Sequence, residues 1–412
     1  MSQLLFKNGK LLIPREEELR EGFEVLVEGE TIREVSERPI HAPDAFVVDL
    51  GGRTLMPGLI DCHVHVTASQ VDLGANAALP NALAAYRALP ILRGMLMRGF
   101  TTVRDTGGAD AALAQALEEG LVVGPRVFPS GKALSQTGGH GDFRKPGHDV
   151  APCACGTRIG AMACVVDGVD AVRHAVRDEL RKGATQIKIM ASGGVASPAD
   201  RIDGTQYSLD EIRAAVEEAR AQQTYVLAHA YTARAIQRAI DGGVRTIEHG
   251  NLIDDATAMR MGELGVFAVP TLVTYEALAG EGAALGLPPA SVAKIDAVRL
   301  EGLRSLERFQ RAGVRMGYGS DLLGDLHRYQ SREFLLRSQV LSAVEVIASA
   351  TSVGAEILQM EGRLGVIAPD AAADLLVVDG DPLRNIALLT GQGEHLDVIV
   401  KAGSLVKNAL LR

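Results

Sequence analysis

An α/β architecture follows from two features of the sequence. Apolar segments of strand length recur at Leu59–Val66, Phe100–Asp105, Arg126–Ser130, Gln186–Ala191, Tyr225–Ala230, Arg245–His249, Val266–Thr271 and Val314–Gly319, with helical stretches between most of them. The two ends of the chain, by contrast, read as strands only. Strands alternating with helices in this number, over about 260 residues, meet the requirement of a (β/α)8 TIM barrel. A doubly wound open sheet is the competing arrangement. The strand-only ends suggest one small sheet domain assembled from both termini. The predicted boundaries are residues 1–57 plus 360–412 for that domain and residues 58–359 for the barrel.

Each element has a local reason. At the start, Leu4-Leu5-Phe6, Leu11-Leu12-Ile13, Glu24–Glu28 and Val47–Leu50 are β-prone runs split by Asn8-Gly9, Gly29-Glu30 and Gly51-Gly52. In the middle, Val169–Lys182 and Leu209–Gln222 read as helices, and Ser208 with Glu211 forms a capping-box start for the second. At the end, Asp374–Asp379 and Leu396–Val400 are strands, with turns at Gly380-Asp381-Pro382 and Ala402-Gly403. The stretch Gly138–Gly160 is long for a βα loop and rich in Gly and Pro, so it is expected to cover a site and shape substrate choice. Within it, Arg144, Lys145 and His148 either meet an anionic substrate or form a solvated charge run.

Composition excludes several functions. The chain has 412 residues, 47% hydrophobic and 23% charged, as soluble globular proteins do. A net charge of -9 and the absence of Trp argue against nucleic-acid binding, which needs a basic stripe and stacking platforms. Cys62, Cys153, Cys155 and Cys164 are too few and too uneven for a disulfide framework, which suits a reducing, cytoplasmic setting. Cys153-Ala-Cys155 is a weak candidate metal or redox pair. The opening MSQLLFKNGK reads without a secretory signal, and the apolar stretch around Ala82–Met97 is broken by Arg87, Pro90 and Arg93, so no membrane span is expected. Glycine is in excess, at 45 residues, which implies many tight turns.

Chemistry gathers at the strand ends. Asp61-Cys62-His63-Val64-His65 closes the first barrel strand, and residues two apart on a strand share a face. His63 and His65 therefore project together and can chelate one ion. Lys188 sits within the apolar strand Gln186–Met190, where an unpaired ammonium is expensive to bury. His229, His249 and Asp321 stand at further strand ends. Any one alone reads equally as a satisfied core residue, but barrel active sites are built at this end of the strands.

Pro57–His65, with Lys188, His229, His249 and Asp321, resembles the metal-dependent amidohydrolase superfamily. Ser135–His140, Gln186–Gly194, His229-Ala230-Tyr231 and Glu248–Asn251 resemble its prolidase-like branch of dipeptidases, carboxypeptidases and ochratoxin-hydrolysing amidases. The likeness spans essentially the whole chain, a β-sandwich made from both ends included. Ser320 stands before Asp321, where many relatives have Thr. The resemblance implies that His63, His65 and Asp321 hold one divalent metal ion, zinc above all, and His229 and His249 a second. Lys188 would bridge the two as an N-carboxylated lysine, formed when its neutral amine reacts with CO2. It also implies a small-molecule dipeptide or N-acyl amino acid substrate with a free carboxylate, cleaved at the amide by a metal-bridging hydroxide. Asp321 would shuttle the proton. His140 and Tyr231 are candidates for steadying the carbonyl oxygen or the carboxylate, against the plainer readings of a solvated loop histidine and a packed rim aromatic. A homo-oligomer, with an octamer as one form, is implied as well.

Three alternatives stay open on sequence alone. An amidase acting on ochratoxin A, an N-acylated phenylalanine, fits the same logic. A deaminase or cyclic-amide hydrolase of the superfamily would use one metal, and a non-enzymatic scaffold none.

Overall fold

The computed structural model describes residues 3–144, 147 and 158–410. At the N-terminal end stand the short strands β1 (Gln3–Lys7), β2 (Lys10–Leu11), β3 (Arg20–Glu21), β4 (Glu24–Glu28), β5 (Thr31–Ser36), β6 (Phe46–Asp49) and β7 (Thr54–Pro57). Then follow β8 (Leu59–Val64), β9 (Phe100–Asp105), β10 (Arg126–Pro129), β11 (Ala133–Ser135), β12 (Ala163–Val165) and β13 (Ile187–Met190). The middle ends with β14 (Val226–Thr232), β15 (Thr246–Leu252) and β16 (Phe267–Val269), and the C-terminal strands are β17 (Leu375–Val378), β18 (Leu396–Lys401) and β19 (Ser404–Asn408).

The middle strands are parallel, as βαβ alternation requires. One sheet runs β10-β9-β8 and another β12-β11-β13-β14-β15-β16. Backbone bonds link them on both sides. Cys62 N donates to Tyr318 O at 2.7 Å, and Gly317 N to Ala268 O at 2.9 Å, so the 316–321 segment lies between β8 and β16. On the other side, Thr185 N donates to Pro129 O at 2.8 Å, joining the start of β13 to β10. The expected strand Val314–Gly319 is thus only a bridge at Met316. Its ladder fails because Tyr318 N turns away to Ser349 O.

The helix at Leu209–Ala221 starts as its capping box predicts. Ser208 Oγ accepts from Glu211 N at 3.3 Å, and the Glu211 carboxylate accepts from Ser208 N at 2.8 Å. Strands β11 and β12 were not expected; each is only three residues long, below what an alternation pattern resolves.

Both chain ends share one sheet, β19-β18-β17-β7-β2-β3, and β5-β4-β1-β6 forms a second. Strand β17 is buried on both faces, and its alternation explains how it joins two cores. Leu375 and Val377 pack with Leu4, Phe6, Val25 and Val27, whereas Leu376 and Val378 pack with Leu59, Leu92 and Phe100 of the central region. Among the described residues no helix is long and apolar enough to cross a membrane.

Leu376 is fully buried where the two cores meet. Leu376→Ala should lower unfolding free energy by about 2–5 kcal/mol, read by chemical denaturation. A loss well under 1 kcal/mol would show that this contact does not couple them.

Candidate active site

The strand ends deliver the predicted residues to one pocket. Its lining includes His63, His65, His140, Lys188, His229, Tyr231, His249 and Asp321, all of the sequence-predicted set. The ligand atoms of His63, His249 and Asp321 lie within 4.8 Å of one another. Two of these strand ends adopt backbone that side chains disfavour: His249 has φ 73° and Asp321 φ 51°. Non-glycine residues in this region cost about 1–3 kcal/mol each and cluster at functional sites. Asp321 is held there by its own N–H, which donates to His63 O at 2.8 Å.

The imidazoles are oriented by the atoms behind them. His63 Nδ1 donates to Glu248 Oε2 at 2.7 Å, and His65 Nδ1 to Gly107 O at 3.0 Å. Each Nδ1 therefore carries a proton, and in a neutral ring each Nε2 presents a lone pair. Those lone pairs face Asp321 Oδ1, at 3.4 Å from His63 and 3.1 Å from His65. His229 Nε2 donates to Gly193 O at 3.0 Å, which leaves its Nδ1 as the free lone pair. His249 Nδ1 lies 2.7 Å from Thr271 Oγ1 and 4.0 Å from Asp321 Oδ2.

Electrostatics point the same way. Burial, then the neighbouring His140 and His249, hold His229 well below the usual histidine range. Burial and the neighbouring His63 do the same for His249. Both are neutral nitrogen donors. For Asp321, burial would raise the pKa, but His63 and His65 hold it well below the usual carboxylate range. Burial draws Lys188 down to about 8, against the pull of Glu248 and Asp321. Its ammonium has no hydrogen-bond partner among the described residues. Imidazole nitrogens that converge on one carboxylate form a donor set that fits a divalent cation.

Beneath His63 sits a buried ion pair absent from the sequence reading. Arg104 Nη2 donates to both oxygens of Glu248, at 2.9 and 3.0 Å, and Arg104 Nε donates to Cys62 O at 2.6 Å. Burial alone would raise Glu248, but Arg104 and His63 outweigh it and hold it at about 2. Asp61 fixes the same strand end by accepting from His63 N, Ser320 Oγ and Gln330 Nε2 at 3.0, 2.6 and 2.9 Å. Arg104 and Glu248 lie in strands whose apolar runs mask them, and their pairing is visible only in three dimensions.

His140 is not a solvated loop residue. Its ring stacks on His229 with centroids 4.2 Å apart, and its N–H donates to Gln206 Oε1 at 2.9 Å. Its Nδ1 lies 2.7 Å from Ser197 Oγ and 3.6 Å from Asp200 Oδ2. Gly194 makes the room, since a Cβ there would meet the His140 ring at 2.1 Å. Tyr231 is buried and accepts from Tyr275 Oη at 2.8 Å, a partner that the sequence reading missed. Its ring lies 4.8 Å from His229 and 5.4 Å from His249.

Arg144 pairs with Asp142 at 2.6 Å. Lys145, His148, Cys153 and Cys155 lie outside the described residues, as does most of the middle of the Gly138–Gly160 segment. Cys62 and Cys164 are free thiols.

Residues 54–406 match the model of the amidohydrolase family. Ochratoxinase from Aspergillus niger is 33% identical over 365 residues, covering 86% of this chain and 75% of that one. The crystal structure of a prolidase complexed with N-methylphosphonate-L-proline is 58% identical, covers 99% of this chain and 100% of that one, and superposes with a TM-score of 0.97. A Xaa-Pro dipeptidase with methionine bound in its active site is 29% identical over 99% of this chain and 100% of that one, with a TM-score of 0.87.

Glu248→Gln would weaken the hold on Arg104 and release His63. Metal affinity should fall about 10–100-fold, and stability by about 3–5 kcal/mol. Metal titration followed by elemental analysis, with denaturation alongside, checks both. Wild-type affinity in this variant would remove Glu248 from the metal account.

Proposed function

This chain belongs to the amidohydrolase family and is a hydrolase acting on amide or peptide C–N bonds, and from that premise we propose a two-metal amidohydrolase of dipeptides or N-acyl amino acids. The observation that carries the reading is the convergence of the His63 and His65 Nε2 atoms on Asp321 beside the buried amine of Lys188. In this reading, residues 58–359 form a (β/α)8 barrel with the pocket at the carboxyl ends of its strands. Residues 1–57 and 360–412 form a composite β-sandwich.

His63, His65 and Asp321 would hold one ion, His229 and His249 the other, with Lys188 carboxylated on Nζ between them. Two Zn2+ ions, when bound, supply Lewis-acid polarisation of the scissile carbonyl and a water of lowered pKa. The remaining work belongs to the chain. Asp321 Oδ1 takes the proton of the attacking water and returns it to the leaving amine nitrogen. His140, held from behind by Ser197 and Gln206, turns its Nε2 to the substrate oxygen. Tyr231 receives a hydrogen bond from Tyr275, so its own proton is free to be donated to a substrate carbonyl or carboxylate.

The walls supply selectivity. Leu73, Phe143, Met162, Met190, Val195, Leu278 and Leu323 line the pocket, and among its described lining residues Asp321 is the single carboxylate. With Asp321 committed to the ions, a Lys or Arg side chain would be buried without a counter-charge. The substrate class is therefore an apolar residue on the acid side of the amide, proline or a larger aliphatic or aromatic one. The second reading, an N-acyl-phenylalanine amidase of the ochratoxinase kind, shares these walls and the similarity to that enzyme. One ion per chain would favour a deaminase instead. The free Cys62 and Cys164 support a cytoplasmic setting, and the family likeness a homo-oligomer.

Asp321→Asn should abolish turnover with the fold retained by circular dichroism; surviving activity would remove it as the proton shuttle. In a panel of Xaa-Pro, N-acyl-Phe, Xaa-Leu, Xaa-Arg and Xaa-Lys substrates, kcat/KM should favour the apolar members by about 100-fold or more. A zinc-loaded enzyme that prefers Xaa-Arg or Xaa-Lys would contradict the pocket argument. Inertness toward the whole panel would contradict the hydrolase assignment.

A further inference from the structure

On the far side of the loop that follows His65 lies a second cleft, of about 530 Å³, which shares no lining residue with the pocket over the ligand set. Arg87, Arg98, Asp325, His327 and Arg328 contribute to its walls.

Arg98 is the informative residue. It follows the helix Asn81–Met97 and is 4% exposed. Its Nε donates to Gln330 Oε1 at 3.1 Å and its Nη1 to Gln392 Oε1 at 3.0 Å, while its Nη2 has no partner among the described residues. Both partners are neutral amides. The helix C-terminus offsets part of the cost of burying a cation, but it leaves Nη2 unmade. Burial draws the guanidinium down only to about 10, so it remains charged at neutral pH. Buried charges are normally paired, and this one has no carboxylate bonded to it.

The surroundings add charge of the same sign. Arg87 is exposed and makes no ion pair among the described residues. Arg328 is already engaged, by Glu281 and by Asp325 O at 2.6 Å. With Arg328 paired to Glu281, Arg87 and Arg98 meet one lining carboxylate, Asp325, and the cleft keeps a positive excess. Its walls are tied to the ligand-bearing segments, because Ala68 O accepts from both Gly324 N at 2.9 Å and His327 Nε2 at 3.1 Å.

We propose that this cleft is an oxyanion site for the phosphate or carboxylate group of a small metabolite, with Arg98 as its buried anchor and Arg87 as its exposed clamp. Planar guanidinium donors suit such groups, since they bond two oxygens at once. The site does not depend on the hydrolase reading.

The test is calorimetric titration of the metal-loaded enzyme with inorganic phosphate, at ionic strength fixed with sodium chloride, beside phosphate inhibition of hydrolysis. Expected is one phosphate per chain beyond any that inhibits, with affinity about tenfold weaker in Arg87→Ala. In Arg98→Gln that binding should be lost, and in both variants the inhibition constant should stay as in the wild type. Arg87 is exposed, so its variant decides the matter even if Arg98→Gln does not fold. Unchanged stoichiometry and affinity in Arg87→Ala would overturn the proposal, as would phosphate uptake wholly explained by inhibition. Succinate competing with phosphate identifies a carboxylate head group as sufficient; succinate failing to compete identifies phosphate.

Discussion

Lone pairs that face one another across the floor of a pocket are the constraint on which this molecule turns. In a neutral ring, His63 and His65 would each carry the proton on the nitrogen that faces away, toward Glu248 and Gly107, so that their remaining nitrogens meet the Asp321 carboxylate with nothing between. Without a cation, the only relief is protonation. That is the direction in which Asp321 pushes His65, up from its usual value against the effect of burial. A divalent ion relieves the same repulsion without a proton and leaves the imidazoles neutral. The chemistry of the pocket is therefore built into the hydrogen bonds behind it.

Those hydrogen bonds demand structure of their own. Glu248 accepts from His63, and it stays ionised in a fully buried position because Arg104 lies against both its oxygens. Arg104 in turn bonds the carbonyl of Cys62, immediately before the first histidine of the motif. One ion pair thereby sets a ring orientation and a backbone position together. The left-handed backbone at His249 and Asp321 tells the same story. Neither residue gains locally from that conformation. Both are held there by their surroundings, which is the usual mark of strain retained for function.

The positions of these strands were legible in the sequence because burial on both faces leaves unbroken apolar runs, and β8, β9, β13, β14 and β15 all begin within a residue of where those runs begin. The residues that line the pocket were legible because His-x-His, Lys188 and Asp321 are costly residue types at strand ends. Other features were hidden. Arg104 and Glu248 lie 144 residues apart, and neither alone is distinctive. The 316–321 segment has an apolar pattern, yet Tyr318 N leaves the ladder for Ser349 O. His140 sits among glycines that read as a mobile loop, whereas Gly194 lets its ring stack on His229. In each case the deciding contact is between distant parts of the chain, where local propensity is silent.

The central claim is that six residues hold two ions, with a modified Lys188 between them. Crystals of the zinc-loaded enzyme, measured above and below the zinc absorption edge, test it most directly. The account predicts two anomalous peaks, one against His63, His65 and Asp321 and one against His229 and His249, with continuous density from Lys188 Nζ to both. A single peak, or two peaks with Lys188 Nζ bare, would contradict it.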